Sequence, residues 1–276
     1  MSNHKTDITS KELDEILAIV FDLYGYDFQD YARASMFRRI QRFMDEKKYS
    51  DAFELKYQLT NDPKVFDAML QKITVNVTEM FRDPSFFAAI KNEVVPMLAS
   101  YPVIKIWHPG CASGEEVFSM AILLHEAGLL QRSRIYATDV NPMNIEKGKE
   151  GILPLSLMKE YEINYLKAGG VGTFSDYYTA AYDHAIINKA LRKNIFFSHH
   201  NLVTDRVFNE FQMICCRNVM IYFNKKLQNR VVELLHESLS PLGYLAIGLK
   251  ESLLFTEVQK KFISVDKFHK IYRRIN

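Results

Sequence analysis

Apolar side chains recur three and four positions apart through the first part of the chain. This spacing is typical of helices, and over residues 8–73 it predicts a small helical bundle with short connections. The first helix begins with a capping-box pair, Thr9 and Glu12, and is expected to end at Gly25. Its expected buried face consists of Leu13, Ile16, Leu17, Val20 and Phe21.

The same spacing predicts three more helices. The second is expected over Tyr31–Lys47 and the third from near Ser50. The fourth follows Asn61-Asp62-Pro63, where a capping residue precedes a proline at the first helical position. The apolar positions expected to face inward are Met36, Phe37, Ile40, Phe43 and Met44 on the second helix, and Phe66, Met69, Leu70 and Ile73 on the fourth.

From about residue 100, short β-type runs alternate with helical stretches. One expected helix begins at Asp83-Pro84. Three others are expected over Val117–Leu124, Pro142–Lys149 and Lys226–Leu239. The expected strands are Val103–Ile106, Ile135–Thr138, Ile195–Ser198, Gln212–Cys216, Tyr244–Ile247, Phe262–Val265 and Lys270–Arg273. This alternation predicts the α/β class, with a mostly parallel sheet that helices cover on both faces.

Residues 164–193 interrupt that alternation. A glycine-rich stretch at 169–172 predicts a flexible turn, and Asp176–Ala181 and His184–Asn188 predict short strands. We therefore expect a small antiparallel excursion inserted into the α/β part of the chain.

Composition and charge argue against several classes of function. The 276 residues carry a net charge of only +2, which argues against a nucleic-acid-binding surface. The three cysteines form no C-x-x-C pair, which argues against zinc and favours a reducing compartment. The polar N-terminus and the lack of a long apolar run predict a cytoplasmic protein without membrane insertion.

The most informative segment is residues 107–116, Trp-His-Pro-Gly-Cys-Ala-Ser-Gly-Glu-Glu, between an expected strand and an expected helix. A strand, a glycine loop and a helix form the entrance to a nucleotide-type pocket in an open α/β sheet. Backbone amides at a helix start favour anions, but the carboxylates of Glu115 and Glu116 would repel a phosphate. A ligand with hydroxyls and a positive centre fits better, which favours S-adenosylmethionine over NAD or ATP.

Asp139 ends the expected second strand, 25 positions after Gly114. An acidic residue at this place commonly accepts hydrogen bonds from ribose hydroxyls. The alternative is that Asp139 only caps the helix that starts at Pro142. The glycine loop beside it favours the ribose interpretation.

Polar residues follow two more of the expected strands. Asn201 comes after the strand at 195–198 and could pair with an adenine edge, whereas His199 and His200 are interpreted as solvated loop residues and not as metal ligands. Arg217-Asn218 follows the strand at 212–216 and should reach the same pocket. Tyr222, four positions further on, could equally be a packing residue beside Phe223.

Asn76, Thr78 and Arg82 lie between the helical part and the strand–helix part of the chain. Such a joint is a common place for ligand-binding side chains. The alternative is an ordinary capped linker in which Thr78 and Asp83 serve only the backbone.

Taken in order, these motifs resemble a known family. The chain reads N-x-T-x-x-F-R-D-P, then W-x-x-G-C-x-S-G-E-E, then a strand ending in T-D-V, then N-L, then C-R-N-V-x-I-Y-F. This series is similar to the chemotaxis receptor methyltransferases of the CheR type, and it extends over essentially the whole chain. The first and the last motifs are the specific ones.

The resemblance implies an α/β fold with a small N-terminal helical bundle and a doubly wound, Rossmann-like S-adenosylmethionine-dependent methyltransferase domain with a small antiparallel β excursion. The implied boundaries are 1–75 for a receptor-recognition domain, 76–98 for a linker that contributes to the cofactor site, and 99–276 for the methyltransferase domain with its excursion at about 164–193.

The resemblance also implies roles for single residues. The implied cofactor-binding residues are Asn76, Thr78, Arg82, Glu116, Asp139, Asn201, Leu202, Arg217 and Asn218, with no metal. Arg82 and Tyr222 would lie near the reacting methyl group. A basic surface on the second helix, made of Arg33, Arg38, Arg39 and Arg42, would contact the receptor.

The implied reaction forms methyl esters on glutamate side chains in the cytoplasmic helical region of a chemotaxis-type receptor, and the protein is expected to be a monomer. The chain departs from the family at Gly248-Leu249-Lys250-Glu251, where many members read G-H-S-E. Two alternatives stay open. One is a methyltransferase for a small molecule or a nucleic acid, and the other is a module that binds the cofactor or its product without turnover.

Overall fold

The computed structural model describes residues 7–74, 76–254 and 256–275. The chain divides into two compact units. The first contains the N-terminal helices together with Tyr222–Gln228, and the second contains Asn76–Ile221 and the chain from Asn229 onward. Within the described residues, no helix is both long and apolar enough to cross a membrane.

The N-terminal helices form where an apolar stripe along one helical face and the capping residues at the ends predict the same helix. They are α1 (Ser10–Tyr24), α2 (Arg33–Lys47), α3 (Ala52–Asn61) and α4 (Pro63–Ile73). The capping box of Thr9 and Glu12 is confirmed, and Gly25 ends α1 in a left-handed conformation, with φ of 75°. The expected inward residues of α1 are buried except Phe21, whose side chain is 45% exposed, so that part of the prediction is wrong.

The second unit continues in chain order with helices and strands. Its first elements are α5 (Pro84–Ala89), a π-helical turn (Ile90–Val94), α6 (Val95–Leu98), β1 (Ile104–Pro109), α7 (Glu115–Glu126), β2 (Ser133–Asp139), α8 (Pro142–Glu150), β3 (Ile152–Pro154) and α9 (Met158–Lys167). Its later elements are β4 (Tyr178–Ala181), β5 (His184–Ile187), α10 (Lys189–Arg192), β6 (Ile195–His199), β7 (Phe211–Cys216), the part of α11 (Lys225–Glu237) from Asn229 onward, β8 (Leu239–Ile247), β9 (Phe262–Asp266) and β10 (Ile271–Arg274).

The main sheet of the described chain has the strand order β6-β2-β1-β7-β8-β10-β9. The strands from β6 to β8 are parallel, and β10 pairs antiparallel with both β8 and β9. This confirms the α/β class and the mostly parallel sheet. The strand order reverses at β1, and in open α/β sheets ligands bind beyond the carboxyl ends of the strands at such a switch point.

The bounds of three elements differ from the sequence prediction. In each case the pairing between strands determines where the element begins or ends. β1 runs on to Pro109, which pairs with Thr138 of β2. α11 ends at Glu237 because Leu239 already pairs with β7, and the expected turn at 241–243 lies within β8. The antiparallel excursion is larger than 164–193, since β3 also pairs with β5.

Candidate functional site

The loop between β1 and α7 lies against the loop that follows β7. Gly110 has a φ of +67°, and a Cβ built on it would lie 2.6 Å from Cγ2 of Val219. The Cys111 N–H donates to the Thr138 carbonyl, so the loop also crosses toward the end of β2. The predicted glycine loop therefore lies at the switch point, where three strand ends meet.

We expect Gly110→Ala to lower the free energy of unfolding by about 1–3 kcal/mol, because it adds backbone strain to a steric clash with Val219. Gly25→Ala is the matched control. Gly25 has a similar φ of +75° but open space around its Cβ position. Denaturant titration should show a smaller loss for the control, and equal losses would contradict the close approach of the two loops.

Asp139 lies at the carboxyl end of β2 with 7% of its surface exposed. One carboxylate oxygen accepts the Ala112 N–H at 2.9 Å, and the other accepts the Asn141 N–H at 2.9 Å. Burial raises the pKa of Asp139, although these hydrogen bonds act against that rise. The cap of α8 is Asn141, whose side chain accepts the Met143 N–H, so the interpretation of Asp139 as the helix cap is wrong.

Asn144 links two of the predicted site residues. Its Nδ2 donates to Oδ1 of Asn76 at 2.7 Å and to Oδ1 of Asp139 at 3.2 Å. Thus α8 connects the segment that starts at Asn76 to the end of β2. Asn144 could not be predicted from the sequence as a residue of this site, because its position inside a helix carries no motif.

Glu116 and Arg217 form a buried ion pair between α7 and the end of β7. Nη1 of Arg217 lies 2.8 Å from Oε2 of Glu116, and Nδ1 of His108 lies 3.2 Å from Oε1. Burial would raise the pKa of Glu116, but the charge of Arg217 and the hydrogen bond with His108 outweigh it and lower the pKa. His108, Glu116 and Cys215 each bring one potential metal-ligand atom within 4.8 Å of the others, and the second carboxylate oxygen of Glu116 accepts from Arg217.

Arg217 also reaches the segment before α5. Its Nη2 lies 2.5 Å from Oδ2 of Asp83, and its Nη1 donates to the Arg82 carbonyl at 3.4 Å. The guanidinium carbon lies 3.9 Å from the centroid of the Phe86 ring. The Arg217 side chain is only 1% exposed, so its cationic end is almost entirely enclosed by protein.

Glu115 is engaged within its own loop. The Ser113 hydroxyl donates to both carboxylate oxygens, at 3.0 and 2.8 Å. Burial raises the pKa of Glu115. Of the two acidic residues noted in the sequence, Glu116 therefore lies in an ion pair, whereas Glu115 stabilises the turn into α7.

Glu251 organises the loop after β7, a role that was not predicted from the sequence. Its carboxylate accepts backbone N–H groups from Asn218, Val219 and Met220 at 3.1, 2.9 and 2.7 Å, and from Gly248 at 2.5 Å. Burial raises the pKa of Glu251, against the effect of these four donors. Its place just after β8, another strand that ends at this edge, was the available signal.

Asn201 and Leu202 are both buried after β6. The side-chain oxygen of Asn201 accepts the Val203 N–H at 2.9 Å, and the backbone N–H of Asn201 donates to the Asp205 carboxylate at 2.9 Å. Thr78 and Arg82 are half-buried, and the nearest hydrogen-bond contact of the Arg82 side chain is the Val77 carbonyl, 3.5 Å from Nη1. The second unit therefore brings together the carboxyl edge and the segment from Asn76 to Asp83.

Four of the eight non-glycine residues with a positive φ in the described chain lie in these loops. Phe81, Asp83, Ala112 and Asn218 all have a positive φ without being glycine, with values of 53°, 54°, 48° and 59°. Such conformations cost about 1–3 kcal/mol each and persist only when the surroundings enforce them. They are typical of functional sites.

The remaining predicted residues belong to the first unit. The Arg39 guanidinium lies 4.9 Å from the centroid of the Tyr222 ring and donates to the Ile73 carbonyl at 2.5 Å. Arg33 pairs with Asp14, and Arg42 pairs with Glu46. Arg38 is exposed and forms no ion pair within the described part of the chain.

Two family descriptions match the chain. Residues 76–270 match "CheR methyltransferase, SAM binding domain", and residues 11–74 match "CheR methyltransferase, all-alpha domain". A relative from Pseudomonas putida, named putative methyltransferase Cher3, is 46% identical over 99% of both chains. A chemotaxis protein methyltransferase from Listeria monocytogenes is 31% identical over 83% of this chain and 86% of its own.

Solved methyltransferase structures are also similar to the chain. One is the N-methyltransferase NodS from Bradyrhizobium japonicum, solved in complex with S-adenosyl-L-homocysteine. It is 14% identical, with a TM-score of 0.35, over 70% of this chain and 69% of that chain.

Proposed function

The chain belongs to the CheR methyltransferase family, and from this premise we propose that it transfers a methyl group from S-adenosylmethionine to glutamate side chains of a chemotaxis-type receptor. The single observation that carries the proposal is the arrangement around Asp139. A buried carboxylate ends β2 beside the glycine loop and is linked through Asn144 to Asn76.

The residues present fit this cofactor. Its ribose hydroxyls need an acceptor at the end of the second strand, which Asp139 supplies. The sulfonium group and the amino group are cationic, and the charged side chains at this edge are mostly carboxylates, including Asp83, Glu116 and Asp139, with Arg217 buried among them. We propose that Asn76, Thr78, Arg82, Glu116, Asp139, Asn201, Leu202 and Asn218 line the bound cofactor.

No general base is needed for the proposed reaction. A glutamate side chain has a pKa near ~4.3 and is ionised at neutral pH. The cofactor supplies an electrophilic methyl group on a positively charged sulfur, and the protein holds the acceptor oxygen in line with it. Such orientation can lower a barrier by about 7–11 kcal/mol. We assign Arg82 to steering the acceptor carboxylate, and the family resemblance assigns Tyr222 to the surroundings of the methyl group.

The proposed partner is the helical cytoplasmic region of a receptor, with the protein acting as a cytoplasmic monomer. The arginines predicted to contact it are Arg33, Arg38, Arg39 and Arg42. Arg38 has the strongest support, because its charge is exposed and unpaired within the described chain. Glutamate-rich receptor helices have the complementary charge.

Labelled S-adenosylmethionine, incubated with the protein and bacterial membranes, tests the proposal against its alternatives. Base-labile label on a membrane receptor is the expected result, because methyl esters hydrolyse in base. Label on a small molecule or a nucleic acid would contradict the acceptor. Tight binding of the cofactor without any transfer would point to a non-catalytic sensor.

We expect Asp139→Ala to weaken binding of S-adenosylhomocysteine by about tenfold or more, because a charge-assisted hydrogen bond contributes about 1.5–3 kcal/mol. Calorimetric titration measures this directly. Asp183→Ala removes an exposed carboxylate from the turn between β4 and β5 and serves as the control. Unchanged affinity in Asp139→Ala would reject the ribose assignment.

A further inference from the structure

The chain contains two helix starts with the sequence Asp-Pro, and their aspartates act differently. At the start of α4, the Asp62 carboxylate accepts the Lys64 N–H and caps the helix. At the start of α5, Asp83 makes no capping hydrogen bond and adopts a left-handed conformation. Its carboxylate is instead 2.5 Å from Nη2 of Arg217.

Arg217 holds this segment from the opposite side of the site. It comes from the end of β7 and contacts Asp83, the Arg82 carbonyl and Glu116 with its two terminal nitrogens. Its Nε is buried and has no hydrogen-bond partner among the described residues, and the face of the guanidinium lies on the Phe86 ring. A planar guanidinium can bridge two carboxylates in this way, whereas a lysine ammonium cannot reproduce the geometry.

The backbone on the other side of Arg82 is fixed as well. The Phe81 N–H donates to the Ser119 hydroxyl of α7 at 2.8 Å, and the Phe81 ring packs edge-on against Phe87 and Tyr165. Phe81 and Asp83 both have a positive φ, so Arg82 lies between two strained residues. Strain of this kind persists only where contacts on both sides oppose its relaxation.

We infer that Arg217 and Asp83 form a clamp that positions Arg82 for methyl transfer, so that Arg217 is a positioning residue and not a direct ligand of the cofactor. This inference rests on the proposed function, because Arg82 is assigned to the acceptor carboxylate there. The family resemblance alone would make Arg217 a cofactor-binding residue. The geometry points elsewhere for its side chain, which is only 1% exposed, with both terminal nitrogens against protein oxygens.

A double-mutant cycle with Asp83→Ala, Arg217→Ala and the double variant tests the clamp in the full-length protein. Each single change should lower kcat about 10- to 100-fold, the range expected when a reacting group is misplaced. The double variant should be no slower than the slower single variant, because both changes break one interaction. Arg217→Lys keeps the charge but should recover little of the rate.

Calorimetry with S-adenosylhomocysteine gives a readout that needs no receptor. We expect both single variants to bind it within about threefold of the unchanged protein, since the clamp acts on kcat. Amide hydrogen exchange should increase at residues 80–83 in both variants and stay unchanged in Asp62→Ala, which removes the aspartate of the other Asp-Pro start. If the wild-type protein methylated no receptor, the proposed function would be rejected. The calorimetry and the hydrogen exchange would still test the clamp, because neither measurement needs a receptor.

Two results would overturn the clamp. One is an additive loss of kcat in the double variant. The other is a large loss of S-adenosylhomocysteine affinity in Arg217→Ala that Asp83→Ala does not share, because that pattern identifies Arg217 as a direct ligand.

Discussion

Arg82→Ala is expected to lower the rate of methyl transfer about 100-fold, the largest effect of any single change on activity. The segment that carries Arg82 is fixed on both sides, by Ser119 through Phe81 and by Arg217 through Asp83. Among the residues that the structure describes, the Arg82 side chain has a single hydrogen-bond contact, a long one with the Val77 carbonyl. Its guanidinium is therefore available to orient an acceptor carboxylate, and alanine removes that group without removing the fixed backbone.

Steady-state kinetics with saturating cofactor should place this loss mainly on kcat. Arg134→Ala serves as the control, because Arg134 is an exposed arginine near the start of β2, away from the carboxyl edge. The control should transfer methyl groups at the normal rate. An unchanged rate in Arg82→Ala would remove Arg82 from the mechanism.

Glu251→Ala is expected to have the largest effect on stability among the changes in the loops of the site. The substitution removes the carboxylate that accepts the backbone N–H groups of Gly248, Asn218, Val219 and Met220. A buried unsatisfied donor costs about 1–3 kcal/mol, so even with partial relaxation of the loop we expect a loss of at least ~3 kcal/mol in the free energy of unfolding. S-adenosylhomocysteine should also bind more weakly, because the loop that carries Asn218 becomes less ordered.

Denaturant titration measures the loss in Glu251→Ala. Glu251→Gln keeps the size and one good acceptor, so it should lie between the alanine variant and the unchanged protein. Glu257→Ala removes an exposed glutamate nearby and should change the free energy of unfolding by less than about 0.5 kcal/mol. If Glu251→Ala were as stable as Glu257→Ala, the carboxylate would not organise this loop.

Much of the fold follows from local sequence signals, because these signals agree with the tertiary structure. The capping box at Thr9 and the stop at Gly25 bound α1 as expected. The alternation of strands and helices was sufficient to predict the parallel sheet, and the predicted end of the second strand at Asp139 is confirmed. The predictions that differ are those that depend on pairing with distant strands, such as the inclusion of β3 in the antiparallel sheet.

The candidate site was harder to predict, because the role of each charged side chain depends on contacts with residues that are distant in the sequence. Nothing in the local sequence distinguishes Asp62, which caps a helix, from Asp83, which binds an arginine 134 positions away. Glu251 and Asn144 carry no motif, and only the meeting of strand ends and helix faces reveals their contacts. Arg39 was predicted for the receptor surface, yet its guanidinium already lies over Tyr222 within the same unit.

We propose that the carboxyl edge of the sheet supports methyl ester formation on receptor glutamates. Mass spectrometry of a receptor co-expressed with the protein tests it most directly, with Arg82→Ala and Arg134→Ala expressed in parallel. We expect methyl esters on specific glutamates of the receptor's cytoplasmic helices with the unchanged protein and with Arg134→Ala, and almost none with Arg82→Ala. A receptor without methyl esters in the presence of the unchanged, cofactor-binding protein would contradict the claim.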